Sequence, residues 1–163
     1  MDNNLNGMVA LLFGGVTAMA ITIVLFIAVI ALAFYVIYVI GLWKLFKKAG
    51  EEGWKAIIPF YNTYTLITIV GLNWWWFLID VLPALMVLIP GFAAFSSLAW
   101  IAQMLVKICI ASNLSLKMNK STGITVLLVI FPGIMYPVLG LGSSTWDSSI
   151  KTPQNGVFGG DPL

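Results

Sequence analysis

The chain has no histidine, no arginine and one cysteine, Cys109, and charged residues fill only 9% of its 163 positions. Each scarcity removes a class of function. Without histidine, and with one thiol, no His/Cys metal site can be built and no disulfide can close within the chain. The net charge is +2 and the eight lysines form no extended basic face, which argues against nucleic-acid binding. An enzyme would have to work with Lys, Asp, Glu, Ser, Thr, Tyr and one Cys. The expectation is therefore a non-enzymatic protein with no cofactor and no metal.

What is abundant is apolar. Hydrophobic residues reach 61% of the chain, against about 45–50% in soluble domains, and the mean hydropathy is +1.02. The length is that of one domain. These values exclude a water-soluble globule, a disordered chain and a collagen-like fibre. They predict an integral membrane protein of the all-α class: a polytopic helical bundle with four transmembrane helices and an interfacial or re-entrant helix.

The spans follow from hydropathy, since crossing about 30 Å of hydrocarbon takes about 20 apolar residues. The first is predicted over 12–43, with Thr17–Ile40 as its heart and a looser entry turn at Leu11–Val16, where Gly14-Gly15 falls. Ala18-Met19-Ala20 has the small-residue look of a signal-peptide cleavage site. However, no lysine precedes it and the apolar run continues far past it, which disfavours cleavage. Residues 44–73 form a wetter segment in which Pro59 is expected to start a short helix lying flat or re-entrant. A second span is predicted at 74–90, broken by Pro90-Gly91, and a third at 92–112, antiparallel to it. A fourth is predicted at 123–141, kinked by Pro132-Gly133 and Pro137. Residues 1–142 make up the helical domain, and the Ser/Gly/Pro/Asn-rich residues 143–163 read as a flexible extracytoplasmic tail.

Lysines set the orientation. In this layout Lys44, Lys47, Lys48, Lys55, Lys117 and Lys120 share one side and Lys151 alone lies on the other. The positive-inside rule then makes the loops cytoplasmic and both termini extracytoplasmic, in a multi-pass protein of the cell membrane. Trp43, Trp54 and Trp74-Trp75-Trp76 mark the cytoplasmic interface, and Trp146 the outer one. Lys44, Lys47, Lys48 and Lys55 are placed to meet anionic headgroups.

Two charges fall inside spans. Asp80 is six residues past Trp74, and Lys107 is six before Asn113, so each lies roughly 9 Å in from the same face. Being equidistant from the hairpin turn, they should stand level on neighbouring helices. An unpaired charge at mid-bilayer costs at least about 2.5–3.5 kcal/mol. One reading is an Asp80–Lys107 ion pair facing the bundle interior. The other is that Lys107 snorkels to the headgroups, leaving Asp80 neutral or hydrogen-bonded. A sharper use of Asp80 is as a coupling acid in a pore or carrier.

Other motifs carry less. Lys120-Ser121-Thr122-Gly123 has the residues that end a phosphate loop, but Asn119 stands where that loop needs glycine and no strand precedes it. Ser96, Ser97 and Ser112 do not reach Lys107 along the third span, so no Ser/Lys dyad forms there. Cys109 sits in an apolar stretch that keeps a thiol unreactive. Asn113-Leu114-Ser115 and Asn119-Lys120-Ser121 match the glycosylation pattern, but on the cytoplasmic side. Ala93, Ala94, Ser97, Ala102 and Ala111, with Gly140 and Gly142, offer small faces for helix packing.

One block has a specific order: Trp43-Lys44, Lys47, Ala49-Gly50, Gly53-Trp54, Ile58-Pro59, Tyr61-Asn62, Tyr64, Gly71 and Trp74-Trp75. It is followed by Lys120-Ser121-Thr122-Gly123, Phe131-Pro132, Tyr136-Pro137 and Leu139-Gly140-x-Gly142. From Trp43 to Gly142 the chain resembles a family of small bacterial integral membrane proteins of unknown function, whose members often carry a signal peptidase I label by automatic transfer. The resemblance implies no established activity. The chain departs from the family where Gly91 follows Ile89-Pro90 instead of leading to an Asn, and where Met118-Asn119-Lys120 replaces Phe-Gly-Lys. In physical terms Gly50 and Gly53 allow a tight turn around Glu51-Glu52. Trp54, Pro59, Tyr61 and Asn62 mark an interfacial or docking segment.

The expected function is an accessory or scaffold subunit of a membrane assembly. The alternative is a small transporter, channel or holin-like pore using Asp80. The expected partners are the lipid bilayer and either another membrane protein or a second copy of the chain.

Overall fold

The computed structural model describes residues 2–86 and 96–158. The turn expected at Pro90-Gly91 and the last positions of the tail lie outside them. Among the described residues there are six α-helices and no strand. They are α1 (Asp2–Lys48), α2 (Tyr61–Ile69), α3 (Trp75–Met86), α4 (Ser96–Lys117), α5 (Thr122–Ile130) and α6 (Pro132–Leu141), with short 3₁₀ turns at Gly53–Ala56 and Gly156–Phe158. Among the described residues two stretches are long and apolar enough to cross a membrane, Phe13–Lys48 and Ser97–Lys117.

The chain divides into two compact units, Met1–Ile37 and Tyr38–Leu163. The first is one uninterrupted helix. Gly14-Gly15 is helical and not a looser turn. A glycine costs a helix about 1 kcal/mol, but in an apolar run the backbone has no better partner than its own i−4 carbonyl. Thr17 and Thr22 satisfy their hydroxyls the same way, donating to the carbonyls of Phe13, Gly14 and Ala18. Large apolar side chains from Leu11 to Ile37 are exposed on every side, as in Leu11 (79%) and Val29 (67%). That distribution suits a helix surrounded by apolar material.

The second unit holds the core. Leu42, Leu45 and Phe46 at the end of α1 are fully buried, with Ile67 and Val70 of the α2 region and Val106, Cys109 and Leu114 of α4. The last turns of α1 approach α6 through glycine. A Cβ on Gly140 would lie 2.0 Å from the Gly41 carbonyl oxygen, and one on Gly41 would lie 2.4 Å from the Pro137 Cα.

Three helices end with one device. Gly50, Gly71 and Asn119 all have positive φ. Around them Glu51 N–H bonds Phe46, Leu72 N–H bonds Ile67, and Lys120 N–H bonds Ser115, each to a carbonyl five residues back. This is the Schellman closure, which wants a left-handed residue just past the helix. Asn is the usual substitute for Gly there, which suits Asn119 to the closure of α4. The start of α2 is less regular. Pro59 does not begin the helix but precedes it by two residues. Tyr61 N–H bonds the Pro59 carbonyl at 2.7 Å around Phe60 at φ 64, ψ −43. This is a γ-turn of the rare, strained kind.

The predicted fourth span is folded in two. The residue before a proline is pushed out of the helical region, and Phe131, at φ −127 and ψ 58, separates α5 from α6. A straight helix over 122–141 would carry its end roughly 30 Å from its start. Instead the Lys48 ammonium bonds the Leu139 and Gly142 carbonyls at 2.7 and 2.6 Å. Lys48 is also within electrostatic reach of Lys120, just before α5. The end of α6 therefore returns to the level at which α5 begins, and helices of 9 and 10 residues are each too short to cross.

The tail differs correspondingly from the expected flexible, opposite-side segment. Residues 143–158 fold back over the lysine-bearing end of the unit. Asp147 N–H bonds the Lys117 carbonyl and Asn73 N–H bonds that of Gln154. Lys117 Nζ bonds Ile150 O, Thr152 Oγ1 bonds Val70 O, and Trp146 packs against the core. The tail, its Trp146 and Lys151 thus share a side with Lys117. The folding back of α5–α6 brings them there, which composition alone does not show.

Candidate functional site

All six helices contribute to a cavity of about 310 Å³ in the second unit. It is lined by Tyr38 of α1, Thr63 and Leu66 of α2, Asp80 of α3, Lys107 and Ile110 of α4, Leu128 of α5, and Pro132 and Tyr136 of α6. The α5–α6 break opens it: Pro132 and Tyr136 face the cavity because the chain turns back at Phe131. Tyr38 and Tyr136 meet edge to face, with centroids 5.8 Å apart.

Asp80 and Lys107, expected to stand level, both line this cavity, and Lys107 lies within electrostatic reach of Asp80. The two form no ion pair in this structure. Among the described residues the one pair within 4.0 Å is Lys55–Glu51. Lys107 is exposed and Asp80 half-buried. Gln103 was not anticipated. It stands one turn before Lys107 on the same face, and its Nε2 donates to the Asp80 carbonyl at 3.1 Å, pinning α4 to α3. The i, i+4 spacing of Gln103 and Lys107 was the available signal. Tyr38, Thr63 and Tyr136 gave none, because their convergence depends on the hairpin.

In the docking segment, Trp54 stacks on Tyr61 at 5.9 Å and Tyr61 on Tyr64 at 6.0 Å. Tyr64 then meets Phe77 edge-on at 5.6 Å. With exposed Ile57, Ile58 and Phe60, this makes an aromatic, apolar outer face of the kind found at membrane interfaces. Pro59 contributes the turn. Asn62 neither caps α2 nor bridges to another helix; its Oδ1 accepts from Thr63 Oγ1.

The four lysines assigned to headgroups divide. Lys44 and Lys47 are exposed. Lys48 is committed to the α6 carbonyls, a cation at a helix C-terminus. Lys55 bonds Glu51 at 2.6 Å, and that hydrogen bond holds its ammonium above the ordinary lysine value.

A separate arrangement joins the tail to the helices. Asn113, 1% exposed, donates through Nδ2 to both the Val70 and Pro153 carbonyls, at 3.2 and 3.0 Å. Beyond it Gly156 is buried, and a Cβ there would lie 2.4 Å from Cys109 Sγ and 3.2 Å from Trp76. Among the described residues no three His, Cys, Asp or Glu side chains come together.

Fold and site together define an all-helical protein with, among the described residues, two helices of membrane-spanning length and a largely apolar cavity that Asp80, Lys107, Thr63 and two tyrosines also line. The Family of unknown function (DUF5684) matches residues 54–148, more than half of the chain, and the chain belongs to it. No curated protein and no solved structure matches the chain.

Proposed function

We propose that the chain is a non-enzymatic, multi-pass bacterial membrane protein that serves as an accessory or scaffold subunit, held to a partner membrane protein through the first part of α1. The observation that carries this reading is the exposure of α1 from Leu11 to Ile37. Spans in multi-pass proteins pack on one another through close contact of small residues. Here Gly14, Ala18 and Thr22 recur at four-residue intervals, and nothing lies within 4 Å of a Cβ built on Gly14. A partner's transmembrane helix fits that stripe. The test is a mild-detergent pull-down from native membranes, with a photo-crosslinker at Ala18. A stoichiometric foreign partner crosslinked there supports the reading. Recovery of the chain alone, or only as copies of itself, refutes it.

The topology proposed with it has α1, the α3 segment and α4 crossing, α5–α6 re-entering, and the lysine-bearing end cytoplasmic. The N-terminus is then extracytoplasmic, and residues 143–158 are cytoplasmic. A Ser148→Cys, Cys109→Ala variant labelled by an impermeant reagent from outside intact cells would refute this.

A second reading is favoured by the cavity. An acid and a cation lining one space without touching leave it open to a small polar solute, as a carrier or small channel requires. Solute flux in liposomes that is lost in Asp80→Asn would favour it. Equal flux in variant and wild type would remove it.

A further inference from the structure

A second cavity, about 200 Å³, opens where α4 and α5 meet beside the turn that joins them. It is lined by Ser112, Ser115 and Leu116 of α4, Lys120 of the turn, and Thr122 and Thr125 of α5. The spacing is i, i+3 on each helix, so each places two hydroxyls on the facing side. Ser115 is 2% exposed, and its buried Oγ has no hydrogen-bond partner. A buried hydroxyl left unpaired is costly, and in a native structure it calls for a partner that the chain itself does not supply.

Positive charge gathers on the α5 side of this spot, and the facing carbonyls at the end of α4, Leu114 to Lys117, are already taken by the Met118, Asn119, Lys120 and Asp147 N–H groups. Ser121 is the N-cap of α5 but makes no side-chain capping bond, and the first N–H groups of a helix have no partner inside it. Their partial positive charge adds to the Lys120 ammonium, and Lys48 lies within electrostatic reach of Lys120. Four hydroxyls, one ammonium and a helix N-terminus offer more donors than the two oxygens of a carboxylate can use. A phosphate presents three or four oxygens and a full negative charge, the combination that helix N-termini favour.

We propose that this cavity is a phosphate-binding site, with Lys120 supplying the charge, Ser115 the buried hydrogen bond, and Thr122 with the start of α5 the remaining donors. The phosphate is that of an anionic lipid headgroup or free inorganic phosphate. This inference does not depend on the accessory-subunit reading.

The test uses the full chain purified in detergent. Retention of phosphatidylglycerol against phosphatidylcholine is measured by native mass spectrometry, and inorganic phosphate is added in a thermal-shift titration. The variants are Lys120→Gln, Ser115→Ala and, as a control of equal charge change elsewhere, Lys151→Gln. Affinity should fall about tenfold in Lys120→Gln, and severalfold in Ser115→Ala, while Lys151→Gln stays at wild type. Ser115→Ala should also raise the melting temperature without phosphate, because it removes an unpaired hydroxyl. A purely structural serine would lower it. Selective retention of phosphatidylglycerol identifies the lipid as the source. A phosphate-induced shift with equal retention of both lipids identifies the free anion. If neither probe binds, or if Lys120→Gln and Lys151→Gln lose affinity equally, the cavity holds only water and the proposal is overturned.

Discussion

Gly156→Ala should release the tail from the helices and uncover Cys109. Gly156 has φ +72, where an L side chain costs about 1–2 kcal/mol. Its new Cβ would also lie 2.4 Å from Cys109 Sγ, beside Trp76. Relief requires the tail to move, because Cys109 and Trp76 are held in the core. Overpacking of this sort adds about 1–3 kcal/mol, so a total near 3 kcal/mol is expected. The tail is docked by hydrogen bonds from Asn113, Thr152, Lys117 and Asn73. Each contributes about 0.5–1.5 kcal/mol net, so the loss is comparable to a large part of the docking energy.

The assay is direct because Cys109 is the chain's single thiol. Maleimide labelling in mild detergent reports the fraction of time the tail is away, provided opening and closing are fast. A loss of about 3 kcal/mol raises that fraction, and the labelling rate, by about a hundredfold. Asn113→Ala removes two hydrogen bonds but leaves the Val70 carbonyl to Thr152 Oγ1 and the Pro153 carbonyl to Gly156 N–H; at about 0.5–1.5 kcal/mol for each lost bond, it should accelerate labelling by a smaller factor. Two results would refute the reasoning. One is a wild-type rate equal to that of the denatured protein. The other is an unchanged rate in Gly156→Ala with an unchanged melting temperature.

Further outcomes follow from other positions. Asn119→Ala should cost about 1 kcal/mol, because Ala resists the left-handed conformation that closes α4, while Asn119→Gly should be neutral or mildly stabilising; thermal melts of both variants check this. Gly140→Ala should destabilise the second unit by about 1–3 kcal/mol or more by driving a methyl into the Gly41 carbonyl, and a melting temperature equal to wild type would contradict the crossing. The Asp147 carboxyl accepts from the Ser149 hydroxyl and N–H, and these bonds hold it below the ordinary carboxylate range. Its contribution is therefore present above the unfolded value of about 3.9 and is lost as pH falls through the lower folded value. A Trp146 fluorescence change over that acid range should disappear in Asp147→Asn. For Asp80 and Lys107, a double-mutant cycle of Asp80→Asn and Lys107→Gln should give a coupling below about 1 kcal/mol, since the two do not touch; a value well above that would restore the ion pair.

Much of the architecture could be read from composition and spacing. The long α1 followed from an uncharged apolar run, and α4 from the span ending near Asn113. Gly50 announced a turn, and Pro132 a break. What escaped was direction. A proline inside an apolar run is compatible with a kink or a reversal, and local sequence does not choose between them. The choice here rests on contacts distant in sequence, with Lys48 on the α6 carbonyls and Gly41 against Gly140. No periodicity encodes those.

That one reversal accounts for most of the differences in the site. It carries Tyr136 back beside Tyr38 and Asp80, so a space that two helices would have closed with an ion pair becomes a cavity walled by six. It also delivers residues 143–158 to the lysine-bearing end, where Asn113 takes up the Pro153 carbonyl. A buried Asn at that position would otherwise have one carbonyl too few. The glycosylation-like pattern at Asn113 thus marks a structural residue. The polar composition of the tail, which resembles that of a loose segment, supplies the carbonyls and the glycine that its docking requires. Low hydropathy in a terminal segment is compatible with order when the surface beneath it presents matched donors, as Asn113, Asn73 and Lys117 do here.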